Sequence, residues 1–377
     1  MSPLKEVPLE NLDMEYITAL KDFVHPVLFP FKKNWKDQRI LYVGENEEIL
    51  HLMESQFPEA VVQRLAIDSL ISEDHKQGPG AFDYIAAAGL KSAAPDICPL
   101  LSRLISLLKP GGVIASGVYG YAGYYGLDML GTIVKHFAAD IKNIHGKNFP
   151  KIKRITASVI HQLPKNHPAF HRKAFMERLS KGEPAALKEL VNISTDKIFT
   201  VSRLLECIEQ CGGQFIDWVI PKFYDPAQYV EKKEVAEKLE KLKEPQRWQV
   251  AELVNASPPD HYFFLGREDH QPVKIAWDSG DIYLWRPKRL PLFQWEDPED
   301  SNGCTLRPIK ECESIGSIEL QSWQAQLCLA ASGTTNLNQL LVDIKIPHSG
   351  VGNFLRHAVN MRLLAVLPPG DKMGTEA

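Results

Sequence analysis

The chain of 377 residues lacks the features that mark membrane and secreted proteins. It has no apolar run approaching the roughly 20 residues that cross a bilayer. The first residues, Met1–Glu6, lack the apolar stretch of a signal peptide. We therefore expect a cytoplasmic protein.

Cysteine is scarce, and no two cysteines form a CxxC pair. The six cysteines are Cys98, Cys207, Cys211, Cys304, Cys312 and Cys328. Their scatter through a large chain predicts reduced thiols. Cys207 and Cys211 are four residues apart on a predicted helix and could face each other. Buried packing explains them better than a metal, because no second ligand pair has zinc spacing.

The chain also has little excess charge, since a net charge of −4 gives no overall attraction to nucleic acid or anionic membranes. Residues 141–173 depart from this balance, with eight lysine and arginine residues and no acidic residue. This segment could bind an acidic partner or phosphates, or it could be a solvated helical face. Its His167 and His171 have the spacing of metal ligands on a helix. Pro168 between them and the lack of a nearby carboxylate disfavour a metal site.

What the sequence does contain is a Pro-Gly-Gly turn between an apolar helix end and an apolar strand. Pro110 stops the helix, and Gly111 and Gly112 accept the positive φ that returns the chain to a sheet. An apolar strand over Phe82–Gly89 precedes the turn, and residues 100–108 carry leucine and isoleucine at helical spacing. This order predicts a βαβ unit of a parallel sheet.

The segments FDYI, LKPGG and VYG follow one another as the fourth strand, its helix and the fifth strand do in class I S-adenosylmethionine-dependent methyltransferases. The chain resembles that family from about Arg39 to Arg267. Further motifs of one subgroup have counterparts at Tyr119–Gly126, Leu163–Pro168, Phe199–Val201, Trp218–Pro226 and Asn255–Phe263. The resemblance implies an α/β fold with a Rossmann-like, doubly wound, largely parallel sheet.

The resemblance also implies a binding site for S-adenosylmethionine. The cofactor contacts correspond to Val43, Gly44, Asn46, Asp68 and Gly89. In the family three glycines spaced two apart follow the first strand, but here only Gly44 remains, and Asn46 and Glu48 take the other positions. The added Cβ atoms and three glutamates in the loop predict that cofactor binding is weak or lost.

A second departure is the short stretch between the second predicted strand and the Phe82 strand. If Val61–Ile67 is the second strand, Asp68 takes the place of the acidic residue that binds the ribose hydroxyls. Only 14 residues, 68–81, then remain before Phe82. A crossover alone needs about a dozen residues, so a helix, a third strand and a further connection do not fit. We expect fewer strands than a full seven and no wall around the adenine.

Four tyrosines follow the predicted fifth strand, namely Tyr119, Tyr121, Tyr124 and Tyr125. In an active enzyme they would border the substrate cleft, where aromatic faces attract the sulfonium of the cofactor. Alternatively they pack the start of a helix. The His-His and His-Pro pairs of relatives are replaced here at residues 91–94 and 192–194, so no catalytic residue is assigned.

Composition divides the chain into four parts. Residues 1–36 are predicted to form a helical lead-in, 37–270 a methyltransferase-like domain, 271–310 a hairpin with an acidic linker, and 311–377 a small, mainly helical domain. The element order of the last part resembles winged-helix modules. It could bind a protein or peptide, bind DNA, or act as a structural cap.

Three functions stay open on these grounds. The first is a methyltransferase-like pseudoenzyme with a decayed cofactor loop, non-catalytic or weakly active, that binds or regulates a protein or peptide partner. The second is an active S-adenosylmethionine-dependent methyltransferase on a small molecule or protein side chain, because methyl transfer needs positioning rather than a fixed triad. The third is nucleic-acid binding through the basic segment and the C-terminal part.

Overall fold

The computed structural model describes most of the chain beyond its first 35 residues. The described residues are 36–44, 47–71, 78–87, 90, 97–138, 148–219, 221–226, 232–255, 260–270, 283–285, 293–295, 303–308, 318–345, 351–360 and 363–367. The predicted lead-in over residues 1–36 lies outside them except for Lys36. None of the described helices combines the length and the apolarity needed to cross a membrane.

A mixed sheet forms the centre of the larger unit. Its strands are β1 (Arg39–Val43), β2 (Val61–Leu65), β3 (Phe82–Ala87), β4 (Leu108–Gly120), β5 (Ile198–Phe199), β6 (Gly213–Trp218) and β7 (Asp260–Arg267). They stand in the order β2-β1-β3-β4-β7-β6, and β5 pairs with β4 beside this path as the seventh strand. β1 to β4 run parallel, whereas β7 runs antiparallel to β4 and β6. The arrangement confirms the predicted Rossmann-like, largely parallel sheet.

Helices cover both faces of this sheet. They are α1 (Glu47–Gln56), α2 (Ile67–Ile71), α3 (Cys98–Leu107), α4 (Tyr121–Phe137), α5 (Phe149–Gln162), α6 (Lys173–Lys181), α7 (Pro184–Asn192), α8 (Val201–Gln210), α9 (Lys233–Glu240) and α10 (Glu244–Asn255). Adjacent residues Ile40 and Leu41 of β1 are both fully buried. Ile40 packs with Met53 of α1, and Leu41 belongs to the core that includes Leu104 of α3. A sheet with two apolar faces is what buried parallel strands require.

The predicted Pro-Gly-Gly turn is absorbed into β4 as an irregularity of its pairing with β3. Phe82 pairs with Leu108, but Tyr84 pairs with Val113, so β4 carries extra residues over this interval. Gly111 supplies the positive φ, at +73°. Nearby, the buried Asp83 carboxylate accepts hydrogen bonds from the Arg39 amide at 2.9 Å and from Lys109 Nζ at 2.7 Å. Asp83 thereby links three neighbouring strands at their amino ends.

The expectation of fewer than seven strands is wrong as a count. The sheet has six strands along its path and the two-residue β5 beside it, which makes seven. α2 follows β2 directly, and β2 forms the edge of the sheet beside β1. Within the described part of residues 66–81, which excludes 72–77, there is a short helix and no strand. The count reaches seven because β5 pairs with β4, far from the short stretch on which the expectation rested.

A helical layer formed by α4 to α7 covers the end of β4. The basic segment of residues 141–173 contributes α5 and the short 3₁₀ helix Pro168–His171 to this layer. Two glycines of α4 allow the close packing. A Cβ atom on Gly126 would overlap the backbone at Pro168 and Ala169, and one on Gly131 would lie 2.6 Å from the Leu190 carbonyl oxygen.

The C-terminal part contains three helices and two small antiparallel sheets. The helices are α11 (Ser322–Ala330), α12 (Leu337–Asp343) and α13 (Val351–Asn360). The strands are β8 (Tyr283–Trp285), β9 (Phe293–Trp295), β10 (Gly303–Pro308), β11 (Ile318–Gln321), β12 (Ser332–Asn336) and β13 (Ala365–Leu367). The sheets have the orders β11-β10-β9 and β12-β8-β13. The described residues of this part thus combine helices with short strands, whereas the sequence predicted a mainly helical domain.

Strand pairing corrects the expected linker over residues 271–310. β8 pairs with both β12 and β13, and β10 pairs with β11, so strands from both sides of residue 311 share the same sheets. Leu284 and Leu306 lie in one buried core with Leu327 and Leu355. β8, β9 and β10 therefore belong to the C-terminal unit. The sequence prediction missed this because β8 and β10 pair with strands later in the chain, and local composition does not reveal such pairing.

The expectation that all cysteines are reduced is wrong for two of them. The Sγ atoms of Cys98 and Cys207 are in bonding contact as a disulfide between α3 and α8, across 109 residues of sequence. Cys211 carries a free thiol. The sequence could not reveal the pair, because only the packing of α3 against α8 brings Cys98 to Cys207.

The close approach at Gly131 gives a test of the helical layer. Gly131→Ala places a Cβ atom against the Leu190 carbonyl oxygen, a backbone atom that cannot move alone. Overpacking of this kind costs about 1–3 kcal/mol, which exceeds the gain of about 1 kcal/mol in helix propensity. Urea unfolding should show a lower stability than for the unmodified protein. Gly352→Ala in α13, where a Cβ meets open space, is the control and should be neutral or stabilising.

Candidate functional site

The carboxyl ends of β1 and β2 form the edge at which this type of sheet binds ligands. Tyr42 of β1 pairs with Arg64 of β2 in the parallel register. Arg64 Nε donates to the Gly44 carbonyl oxygen at 3.1 Å, and Arg64 Nη1 contacts the Glu47 carboxylate. The Gly44 amide donates to the Leu65 carbonyl oxygen at 3.0 Å. The side chain of Arg64 therefore joins the end of β2 to the loop after β1.

Side-chain packing alone explains why residue 44 is a glycine, whether or not a cofactor binds. A Cβ atom at this position would lie 2.5 Å from the hydroxyl oxygen of Tyr42. Tyr42 is 5% exposed and packs in the core between β1 and α1. Val43, the preceding residue, is also buried. The one glycine retained from the family's loop is therefore required by the neighbouring tyrosine ring.

The other predicted cofactor residues are only partly visible. Asn46 and Gly89 lie outside the described residues, as does the Asp68 side chain. The backbone of Asp68 belongs to α2, the second residue of that helix, whereas β2 already ends at Leu65. The assumption of a strand extending to residue 67 is therefore wrong by two residues, because the helix begins as soon as the strand pairing with β1 stops.

The charge of the loop differs from the sequence expectation of three repelling carboxylates. Glu47 is paired with Arg64, whose side chain is 30% exposed. An ion pair this exposed contributes little to stability, but it offsets one negative charge beside Gly44. Sequence reasoning did not identify Arg64, because its role depends on the register of β1 against β2.

The four predicted cleft tyrosines, Tyr119 near the end of β4 and three others in α4, separate into two pairs. Tyr119 and Tyr124 are buried with ring centroids 4.3 Å apart. Tyr121 and Tyr125 are 37% and 43% exposed, and their rings are 5.4 Å apart. The positions follow from the helical period of α4, which turns residue 124 toward the sheet and residues 121 and 125 outward.

A polar cluster surrounds the buried pair, and its other members were not found from the sequence. Tyr124 donates to Glu189 Oε1 at 3.1 Å and accepts from Arg172 Nη2 at 3.4 Å. The Arg172 guanidinium also lies 4.8 Å from the centre of the Tyr124 ring. Asp260 pairs with Tyr119 across β7 and β4.

The electrostatics of this cluster keep Arg172 charged. Burial disfavours the cation, but the nearby groups Tyr124, Asp260, Glu189 and Tyr262 more than offset this and raise its pKa. The cluster therefore combines one stable cation with two acidic residues and two phenols. It joins α4, α7 and β7 at the carboxyl end of β4.

A second buried network lies on the other side of β7. His261 Nε2 is 3.0 Å from the Phe199 carbonyl oxygen and 3.2 Å from Glu252 Oε1, and Nδ1 is 2.7 Å from the Tyr224 hydroxyl. Both neighbours of Nε2 accept hydrogen bonds, so in the neutral ring Nε2 carries the proton and Tyr224 donates to Nδ1. Burial raises the pKa of Tyr224 well above its usual value, which keeps the phenol protonated.

This network explains the sequence motifs around residues 199–201, 218–226 and 255–263. Glu252 Oε2 accepts from the Val201 amide at 2.9 Å, at the start of α8. The Tyr224 ring stacks on Trp218 with centroids 3.6 Å apart. The motifs thus hold β5, α8 and α10 against β7, which is a structural role.

The Tyr224–His261 hydrogen bond gives a matched test. Tyr224→Phe leaves a buried imidazole nitrogen without its donor, and an unsatisfied buried polar group costs about 1–3 kcal/mol. Tyr121→Phe makes the same chemical change at an exposed site and should leave stability within about 0.5 kcal/mol. Urea unfolding of both variants measures the difference. Equal stabilities would contradict the assigned role of the network.

Comparison with solved structures identifies similar proteins at low sequence identity. PKMT2 from Rickettsia typhi in complex with AdoHcy is 13% identical, covers 94% of this chain and 76% of its own, and has a TM-score of 0.55. A second structure of PKMT2 from Rickettsia typhi is 12% identical, covers 92% and 75%, and has a TM-score of 0.54. An S-adenosylmethionine-dependent methyltransferase from Mesorhizobium loti is 12% identical and covers 64% and 96%, with a TM-score of 0.30 that is too low to support an argument.

No protein-family model matches the chain. The likeness to PKMT2 extends over nearly the whole chain, and at this identity it concerns the fold. The chain therefore has a class I S-adenosylmethionine-dependent methyltransferase-like fold.

Proposed function

We propose that the chain is a methyltransferase-like protein that binds S-adenosylmethionine weakly or not at all and acts by binding a protein or peptide partner. The observation that carries the proposal is the position of Arg64. Its guanidinium lies between the Gly44 carbonyl oxygen and the Glu47 carboxylate, across the carboxyl ends of β1 and β2. A ligand at this edge has to displace the side chain or bind around it.

The backbone at Gly44 supports the same proposal. The Gly44 amide donates to the Leu65 carbonyl oxygen, and the Gly44 carbonyl oxygen accepts from Arg64 Nε. A ligand could bind either group only by breaking one of these hydrogen bonds. The two other glycine positions carry side chains, at Asn46 and Glu48. These features of the described edge support weak or absent binding of S-adenosylmethionine.

An exposed apolar face supports a role in partner binding. Tyr121, Tyr125 and Met129 follow one another at intervals of four residues along α4 and are 37–43% exposed. Phe137, at the end of the helix, is 67% exposed. Exposed apolar side chains repeated along one helix fit an interaction site, and the tyrosines among them match the composition of protein interfaces.

The second candidate is an active S-adenosylmethionine-dependent methyltransferase. The likeness to PKMT2 in complex with AdoHcy favours it, because that protein holds the cofactor product on a similar fold. Under this alternative Tyr121 and Tyr125 would border the acceptor site. The two candidates differ in the affinity for the cofactor, which is directly measurable.

Calorimetry of the full chain with S-adenosylmethionine and S-adenosylhomocysteine provides that measurement. Two unfavourable contacts of about 1–2 kcal/mol each weaken binding by roughly a hundredfold, so we expect a millimolar Kd or no detectable binding. Asn46→Gly with Glu48→Gly should improve the affinity only in part, and adding Arg64→Ser should improve it further. Arg154→Ser, which removes an exposed arginine of α5, is the control and should change nothing. A micromolar Kd for the unmodified protein would refute the proposal and favour the active enzyme.

A further inference from the structure

Three cysteines from separate parts of the sequence meet between α3 and α8. Cys98 is the first residue of α3, Cys207 lies within α8, and Cys211 follows the end of that helix. The three Sγ atoms lie within 4.8 Å of one another. Cys98 and Cys207 form the disulfide, and the Cys211 thiol donates to the Cys98 carbonyl oxygen at 3.1 Å. A free thiol is thus held beside a disulfide.

The three sulfur atoms differ in their access to solvent. Cys207 is 4% exposed and belongs to the core under the sheet. Cys211 is half-buried and lines an open groove of about 590 Å³. The groove is also lined by Ser102 and Ser106 of α3 and by Arg267. A molecule in the groove can therefore reach Cys211, whereas Cys207 is shielded.

We propose that Cys211 is the exchange thiol of a reversible disulfide site. Its thiolate attacks Sγ of Cys98, so a Cys98–Cys211 bond forms while the Cys98–Cys207 bond breaks. The proton lost by Cys211 passes to the departing Cys207 sulfur. One disulfide is exchanged for another, and no electron is gained or lost in this step.

The exchange moves the disulfide from a buried partner to a partner in the groove. An external dithiol can then reduce the Cys98–Cys211 bond by two electrons, leaving three thiols on the protein and a disulfide on the reductant. The reverse sequence with an external disulfide restores the buried bond. The direction of attack is favoured by access, since Cys98 is also half-buried while Cys207 lies in the core.

The bond connects two helices that cover one face of the sheet. α3 leads into β4, and α8 leads into β6. Opening the disulfide therefore frees the start of α3, which follows β3 along the chain, from the last turn of α8. The site couples the redox state of the surroundings to the packing of these helices, independently of whether S-adenosylmethionine binds.

The test uses the oxidised full chain, reduced dithiothreitol, and alkylation at set times followed by mass spectrometry. The unmodified protein should lose the Cys98–Cys207 bond at least tenfold faster than Cys211→Ser, with a transient Cys98–Cys211 peptide. Cys328→Ser, which replaces a buried cysteine of the C-terminal unit, is the control, and its Cys98–Cys207 bond should open at the unmodified rate.

A second measurement tests the same proposal if Cys211→Ser folds poorly. Alkylating Cys211 in the folded, oxidised protein blocks the same thiol without a substitution, and it should slow reduction to the same extent. Equal reduction rates with and without the Cys211 thiol would overturn the proposal. So would free Cys98 and Cys207 thiols after equilibration with oxidised glutathione, or one Zn²⁺ ion bound per chain by all three thiols.

Discussion

The antiparallel register of β7 against β4 is the constraint on which the rest of the larger unit depends. It sets Tyr119 opposite Asp260 and Val118 opposite His261. Asp260 thereby joins the cluster of Tyr124, Arg172 and Glu189 in the helical layer, while His261 meets the groups that hold β5, α8 and α10. Because side chains alternate along a strand, a shift of one residue would exchange these two partners and leave both networks unsatisfied. One strand pair thus fixes the position of elements on both sides of the sheet.

Much of the fold was predictable, because its signals are local in the sequence. The FDYI and VYG segments lie in the parallel strands β3 and β4 as predicted, and the leucines and isoleucines between them form α3. The interactions that were missed are those between distant residues. Arg64 reaches Gly44 through the register of β1 and β2, Cys98 reaches Cys207 across 109 residues, and β8 pairs with strands near residues 332 and 365. No local pattern contains such information, so the linker and thiol predictions were wrong, whereas the parallel sheet with its helices was predicted correctly.

At the candidate site, too, the sequence predicts which residues are involved, whereas the fold decides how they are oriented. The sequence predicted a role for the four tyrosines at the end of β4 and in α4, but it could not show which of them face the core. The helical period decides this once the direction of α4 is known, and Gly126 and Gly131 set that direction by admitting the backbone of the helical layer. Likewise, the sequence shows three glutamates after β1, but Glu47 is paired with Arg64. The number of carboxylates alone therefore overstates the repulsion of a negatively charged ligand at this position.

The residues that stabilise the fold are largely different from those that would bind a cofactor. The fold can therefore persist when residues at the cofactor positions change. The β4–β7 pairs, the His261 network and the apolar cores lie within or beneath the sheet, whereas positions 46 and 48 follow β1 in the sequence, with Glu48 in the first turn of α1. Substitutions at these two positions leave the buried contacts in place, so they carry little penalty in stability. Gly44 is the exception, since the Tyr42 ring requires it whether or not a ligand binds. The single glycine that survives in the loop is therefore evidence of packing, and it should not be counted as evidence of cofactor binding.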